Sequence, residues 1–461
     1  MAERQLTNSG KRAGSGRAAR LMDTFRTQLW PVPALAVAVS VALGFMLPAL
    51  DAAVDDEVPD SVAILLFSGG PEAARSVLQA ISGSLITVTS LTFSLTVVTL
   101  QLASSQFSPR LLRTFTADRF VHATLALFLA AFAFALTVLR SVRSESSGQT
   151  SFVPEISVTI AYVLAIASVM GLVLFLAHLT REIRVETMMR RVSAETQATI
   201  DRVFPEDRPD VATGEFPGQD AGTRIVRSKS GFLTSIDAGA LVQAAVDSGA
   251  VIRVDREPGS SLVHGVPFAT AWPVGIQSPI TGEAWDKLEA AANAAVLTGT
   301  ERTNVQDVGF GFRQLVDVAA RALSPGINDP TTAVHVLGHL SALLCQLAHR
   351  RPGPIQLTDD EGVVRVILAM PSFGDLLELV MAQPRLYGKA DPAVAERLLE
   401  LLQDLSWCDS DGRYRKEILD QVNRMREAVS AGTYPPADRQ RLLALARRLD
   451  GKPQEAGPPP R

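Results

Sequence analysis

The chain has 461 residues, 47% of them hydrophobic and 20% charged, with a formal net charge of −4 and a mean hydropathy of +0.18. Soluble globular chains carry nearer a quarter charged residues. Here the apolar excess is gathered into four windows free of Asp, Glu, Lys and Arg, at 27–50, 76–109, 120–139 and 156–180. Each is long enough to cross a hydrocarbon core of about 30 Å at about 1.5 Å per helical residue, which excludes an ordinary soluble enzyme. No run of five like charges occurs, so there is no electrostatic footprint for nucleic acid.

A cytosolic tail, 1–26, carrying Lys11, Arg12, Arg17, Arg20 and Arg26 precedes the first span, Trp30 to Leu50. The span is too long for a signal-peptide core and no small-residue cleavage site follows it, so it is read as an uncleaved anchor. The connection 51–75 is acidic, with Asp51, Asp55, Asp56, Glu57, Asp60 and Glu72 against Arg75. The next, 110–119, is basic, with Arg110, Arg113 and Arg119 against Asp118; 140–155 is balanced, and the fourth span exits into Arg181, Arg184, Arg190 and Arg191. By the positive-inside rule both termini are cytoplasmic, with four crossings of the membrane.

No span contains a carboxylate, Lys or Arg, which argues against a coupled transporter with ionisable groups at its midplane. His122 and His178 fall at the cytosolic span ends and are read as reaching to the interface. In the second span Ser82, Thr89, Thr92, Thr96 and Thr99 share an arc of about 100° and form a polar stripe about 25 Å long. Such a stripe serves either close helix packing or the lining of a water-filled path, and both readings stay open. Ser84, Thr87, Ser90 and Ser94 lie on the opposite side, so the helix is expected inside a bundle or a homo-oligomer.

Beyond it, Ser108-Pro109 opens a short amphipathic helix in which Leu111, Leu112 and Phe115 alternate with Arg110, Arg113 and Arg119, suited to the headgroups of anionic lipid. This stretch, SSQFSPRLLRTF, together with RALSPGINDPTTA at 321–333, resembles the bacterial predicted-membrane-protein family catalogued as domain of unknown function 2254. The resemblance runs from the first span to about residue 445. It implies several N-terminal spans followed by a cytosolic region, and brings no catalytic residues with it.

Residues 181–221 read as a juxtamembrane helix with an apolar seam, Val185, Met189, Val192, Thr196, Ile200 and Val203, followed by a Pro- and Gly-rich linker. The seam can pack on the same chain or zip subunits together. Over 222–283 alternation predicts strands at Arg224–Arg227, Gly231–Ile236, Ala250–Asp255, Ser261–Val263 and Pro267–Trp272, with one short helix opened by Asp237. Pro258-Gly259, Val263 and Gly265 are spaced as in the barrel-sandwich fold of lipoyl- and biotinyl-type domains, yet no lysine occupies a hairpin tip; Lys229 precedes a strand. No cofactor is expected.

Residues 284–450 read as a helical domain with six helices, and 451–461 as a disordered Pro-rich tail. Arg313, Asp317 and Arg321 form an i, i+4, i+8 ladder. Asn328-Asp329-Pro330 opens the following helix, with Asp329 as cap, and is the other candidate element of a ligand face. His335 and His339 have metal-ligand spacing but no third ligand, so they are weak candidates and no metal is expected. Gly309-Phe310-Gly311-Phe312 lacks the third glycine of a nucleotide loop. No catalytic constellation is present, so an enzyme is not expected. Cys345 and Cys408 are too few for a disulfide framework.

The expected fold is mainly α, a four-helix transmembrane region over 27–180 followed by a cytosolic α+β part. The expected function is an oligomeric ion or small-solute channel with its lining on the Ser82–Thr99 stripe. The alternative is a membrane-anchored sensor or scaffold with its binding face around Arg313, Asp317, Arg321, Asn328 and Asp329.

Overall fold

The computed structural model describes residues 30–54, 66–106, 118–144, 152–182, 184–206, 222–275 and 280–449. The Ser108–Phe115 helix, the head, most of the 205–223 linker and the C-terminal tail lie outside them. The chain divides into two compact units, 1–187 and 188–461.

The first unit holds four long helices, α1 (Pro31–Val54), α2 (Pro71–Gln106), α3 (Arg119–Ser141) and α4 (Glu155–Glu182). All four are long and apolar enough to cross a membrane. α3 is the hub, packed against α1, α2 and α4. Phe134, Ala135 and Val138 of α3 meet Ala74 and Leu78 of α2 and Val158 and Ala161 of α4. Small residues let the backbones close up, as expected where lipid supplies no hydrophobic drive between helices. A Cβ on Gly44 would stand 2.7 Å from Thr137 Cβ, and Ser40 Oγ donates across to the Ala130 carbonyl at 2.5 Å. The outer faces carry Leu35, Phe45 and Met46 on α1, Leu91 and Phe93 on α2, and Tyr162 and Met170 on α4, all exposed. Apolar outer surface of this extent belongs in a bilayer.

Two polar anchors close the ends of this bundle. Asp51, expected within an acidic connection, ends α1 as a buried group. Its carboxylate accepts from the Ile156 and Ser157 amides and from Ser157 Oγ, and so satisfies the N-terminus of α4. Asp118 caps α3 through the Phe120 amide and pairs with His178 Nε2 at 2.6 Å. His178 is therefore pinned to a neighbouring span, and His122 is buried, whereas the sequence places both at the interface, reaching outward.

The second unit is mixed. Its helices are α5 (Val185–Val203), which begins just ahead of the boundary, α6 (Ala238–Asp247), α7 (Glu283–Ala295), α8 (Val308–Ala322), α9 (Pro330–Ala348), α10 (Phe373–Tyr387), α11 (Pro392–Cys408), α12 (Arg415–Ala431) and α13 (Pro436–Arg448). Its strands are β1 (Thr223–Val226), β2 (Gly231–Ile236), β3 (Ala250–Val254), β4 (Ser261–Leu262), β5 (Pro267–Pro273), β6 (Val296–Gly299), β7 (Ile355–Thr358) and β8 (Val364–Leu368). They form one sheet in the order β1-β5-β3-β8-β7 and another in the order β4-β2-β6. The region expected to be helical beyond residue 283 thus contributes three strands, and β8 joins β3 in parallel, Ile252 opposite Val366.

α6, capped by Asp237, lies on β3 and β8, and α7 lies on β1 and β6. The helices α8 to α13 stack on one another. α9 is a fifth helix of spanning length and hydropathy, so composition alone does not fix the span count at four. Its apolar face is taken up by α8, α10 and α11, with Val336, Leu337, Leu340 and Leu344 sealed between them.

The seam of α5 packs within its own unit. A Cβ on Gly311 would overlap Thr196 Oγ1, so only glycine lets α8 approach α5 this closely. Thr199 Oγ1 donates to the Asn304 carbonyl and Arg202 Nη1 to that of Val305. Arg227 is the buried cross-tie. Its guanidinium donates to the carbonyls of Lys229, Asn293 and Val296 and to Thr298 Oγ1, linking β1 to α7 and β6. Burial lowers its pKa from the ordinary arginine value.

Candidate functional site

The polar stripe of α2 faces inward. Ser82, Thr89, Thr92, Thr96 and Thr99 are all buried, on a helix packed by α3 and α4. Four of the hydroxyls turn back on their own helix: Ser82 to Gln79, Thr89 to Leu85, Thr96 to Thr92 and Thr99 to Leu95 carbonyls. Thr92 Oγ1 is sealed away with no hydrogen bond among the described residues. Ser84, Thr87, Ser90 and Ser94 are exposed on the other side of α2.

In the second unit the candidates divide. Arg313, Asp317 and Arg321 are half-buried along α8. Asn328 takes a left-handed backbone, φ 51°, at the turn into α9, a conformation asparagine tolerates better than most residues. The Asp329 carboxylate accepts from Thr332 Oγ1 at 2.6 Å and from the Thr332 amide at 3.1 Å. These bonds hold its pKa below the usual carboxylate range, so its oxygens serve the α9 cap. His335 and His339 lie one turn apart on α9, and among the described residues no group of three potential ligands could hold a metal ion.

A concavity lies elsewhere in this unit. A cavity of about 280 Å³ opens between the β3–β4 turn, the loop from β6 into α8, and the start of α10. The turn brings Glu257, Pro258 and Gly259, the loop brings Arg302 and Asp307, and α10 brings Asp375, Leu376 and Leu379. The loop is held at both sides. The Gln306 side chain exchanges two hydrogen bonds with the Ile236 backbone at the end of β2, and Asn304 Nδ2 donates to Glu195 on α5.

Between those anchors Arg302 donates through Nε to Asp307 Oδ2 at 2.8 Å and has Nη2 at the same distance from it. Its guanidinium lies 5.5 Å from the Phe310 ring centre. The turn approaches so closely that a Cβ on Gly259 would overlap Asp307 Oδ2, and its φ of +89° also favours glycine.

The electrostatics of the cavity are unusual for its charge count. The Asp307 side chain is only 4% exposed. Burial pushes its pKa up to about 6, against the opposing pull of Arg302 and the Phe310 amide. Glu257 is also raised, by burial first and then by the charges of Asp375 and Asp307. Asp375 completes a capping box with Ser372 at the start of α10, accepting from the Ser372 amide and Oγ. Three carboxylates and one guanidinium, the latter paired with Asp307, therefore line the cavity, with an apolar wall of Leu376, Leu379 and Val308 beside them.

Sequence spacing does not bring these groups together. They come from three stretches, 257–260, 302–309 and 371–379, and the only local signals are the Pro258-Gly259 turn and an aspartate ahead of an apolar helix.

A family model described as "Predicted membrane protein (DUF2254)" matches residues 26–404. An uncharacterized protein of Mycobacterium bovis is 33% identical over 449 residues, covering 95% of this chain and 84% of its own length. An uncharacterized protein of Mycobacterium tuberculosis is similar to the same extent. No solved structure matches the chain. With the family model covering residues 26–404 and a relative 33% identical over 95% of the chain, the chain belongs to this family of predicted membrane proteins.

Proposed function

We propose that the protein is a membrane-anchored sensor. Four spans, α1 to α4, fix it in the bacterial inner membrane, and the second unit binds a small ligand on the cytoplasmic side. The loop charges support this topology, and α9 is assigned to the second unit because helices cover its apolar face. β1, β3 and β5 on one sheet, with β2 and β4 on the other, make the barrel-sandwich-like part of that unit. The reading is non-enzymatic: Glu257 and Asp307 are binding groups.

The observation that carries the proposal is the cavity lined by the buried Asp307 carboxylate, which the partly exposed Arg302 holds in place. A carboxylate withdrawn from water is costly to build, and it gives a ligand site a fixed polar group beside an apolar wall. The test is thermal denaturation of the full-length protein in nanodiscs against a library of small metabolites. A ligand that raises the melting temperature should lose its effect in Leu379→Trp, which fills the cavity. Ligand effects that persist in a folded Leu379→Trp protein would remove the cavity from the proposal.

A second reading, an oligomeric ion or small-solute conduit, is favoured by one specific feature. Thr92 Oγ1 is wholly buried in the middle of the α2 stripe with no hydrogen bond among the described residues, and such a group gains from water or an ion. On this reading Ser82, Thr89, Thr92, Thr96 and Thr99 line a path through a homo-oligomer. Ion flux into proteoliposomes should then change in Thr92→Val and Thr96→Val. Equal flux in the two variants and the wild type would eliminate that lining.

A further inference from the structure

We propose that the cavity between the β3–β4 turn and the start of α10 takes a small organic cation, an ammonium or guanidinium group on a short apolar stem, with Glu257 as its main acceptor. This rests on the reading of that cavity as the ligand site.

The charged groups that line it are Glu257 from the turn, Arg302 and Asp307 from the loop, and Asp375 from α10. Fully ionised they sum to −2, so an anion is repelled and a monocation relieves part of the imbalance. The acceptors are not equally free. Asp307 Oδ2 is committed to Arg302 and Asp375 Oδ2 to Ser372. Among the described residues no hydrogen bond reaches the Glu257 carboxylate, which burial first, and then the neighbouring Asp375 and Asp307 charges, press toward its protonated form. A half-buried carboxylate with open lone pairs is the natural seat for an N–H donor.

A bare divalent ion fits less well. It needs several oxygens converging at about 2.0–2.6 Å, and no triad of that kind exists among the described residues. An organic cation needs one or two acceptors and an apolar wall, which Leu376, Leu379 and Val308 supply. The volume, about 280 Å³, holds about nine groups of water size, the scale of a short alkyl amine.

Cation binding and proton binding then compete for the same carboxylates. Asp307 ionises as pH rises through about 6, and Glu257, raised by burial and by the charges of Asp375 and Asp307, shifts in the same direction, so affinity for the cation rises with pH. Binding expels protons at the acid end and few at the alkaline end.

The experiment is titration calorimetry on the full-length protein in nanodiscs with n-butylammonium, agmatine and putrescine, set against butyrate, n-butanol and magnesium. Each titration is run at pH 5.5 and 7.5 in two buffers of different ionisation enthalpy. The expected result is binding of the organic cations only, at least fivefold tighter at pH 7.5, with proton release confined to pH 5.5. Glu257→Gln, which keeps the side-chain shape, should weaken binding at least tenfold, and Glu361→Gln should leave it unchanged.

Absence of heat with all three organic cations overturns the assignment. Butyrate or butanol binding as tightly as butylammonium also overturns it; if Leu379→Trp abolishes that binding, the cavity survives as a ligand site and only the ligand class fails. The pH dependence of the wild type tests the proposal even if Glu257→Gln does not fold.

Discussion

A buried threonine in the first unit turns its hydroxyl back onto the carbonyl four residues earlier, as Thr89 and Thr96 do. A buried arginine in the second unit reaches across to other elements, as Arg227 does to α7 and β6. The difference follows from side-chain reach as well as from the surroundings. Buried Thr196 of the second unit also turns back, to the Val192 carbonyl, and Arg75 of the first unit reaches across to the Val142 carbonyl. In hydrocarbon a helix must satisfy its own polar groups, because nothing outside will. In the mixed second unit a long side chain can leave its own element and join several others, so its removal unlocks them together. Polar substitutions should therefore be cheap along the spans and expensive in the second unit.

The largest effect should come from Arg227→Met. It strands the Asn293 and Val296 carbonyls and the Thr298 hydroxyl, and at about 1 kcal/mol or more for each buried group left unsatisfied it should cost about 3 kcal/mol or more. Urea denaturation followed by tryptophan emission reads this directly, since Trp272, Trp285 and Trp407 all lie in the second unit. A loss below about 1 kcal/mol would show that the cross-tie is not holding α7 and β6.

Next comes the pH dependence of Asp307. Its pKa is about 6 when folded and near the ordinary aspartate value of 3.8 when unfolded. Between those values the folded state holds a proton that the unfolded state has released, so stability is fully present below about pH 4. It is lost as pH rises to about 6, and at about 1.4 kcal/mol for each pH unit crossed the loss totals about 3 kcal/mol. Asp307→Asn cannot titrate, so the difference in unfolding free energy between variant and wild type should change over that window and be flat above pH 7. A constant difference from pH 4 to 7 would place the carboxylate in water.

Asp51, a carboxylate that crosses between helices in the first unit to cap a neighbour's N-terminus, sharpens the contrast. Asp51→Ala frees the Ile156 and Ser157 amides and should cost about 2 kcal/mol, read as a lower melting temperature of the full-length protein in detergent. Smallest of all, Thr96→Val breaks only a bond within its own turn and should change stability by no more than about 0.6 kcal/mol. A threonine on that stripe costing as much as Asp51 would erase the distinction between the two units.

Much of this architecture is legible in the residues. The charge-free windows become α1 to α4, and the expected strands between 224 and 272 fall on β1 to β5 within a residue or two, because alternation and the Pro258-Gly259 turn are local. Helix starts at Asp237 and Asp329-Pro330 are legible for the same reason. The strands β6, β7 and β8 are not. Each has four or five residues among helices, and what makes β6 and β8 strands is a partner 60 to 114 residues away, invisible to periodicity. α7 runs into β6 without a break, so no punctuation separates them. The stripe on α2 is readable as an arc, though periodicity alone does not say which face is covered. The cavity is not readable at all, since Glu257, Asp307 and Asp375 meet only after both sheets have formed.

The parallel pairing of β3 with β8 also has a consequence for synthesis. Ile252 to Val254 leave the ribosome more than a hundred residues before Val366 to Leu368. Until then the inner edge of the five-stranded sheet stands open, with unpaired amides and carbonyls that invite wrong partners. Pairings of such long range form slowly, so a nascent chain halted between residues 273 and 364 should be the most aggregation-prone species in the life of this protein. The helices α10 to α13 follow β8 in the chain and so are made only after that edge can close.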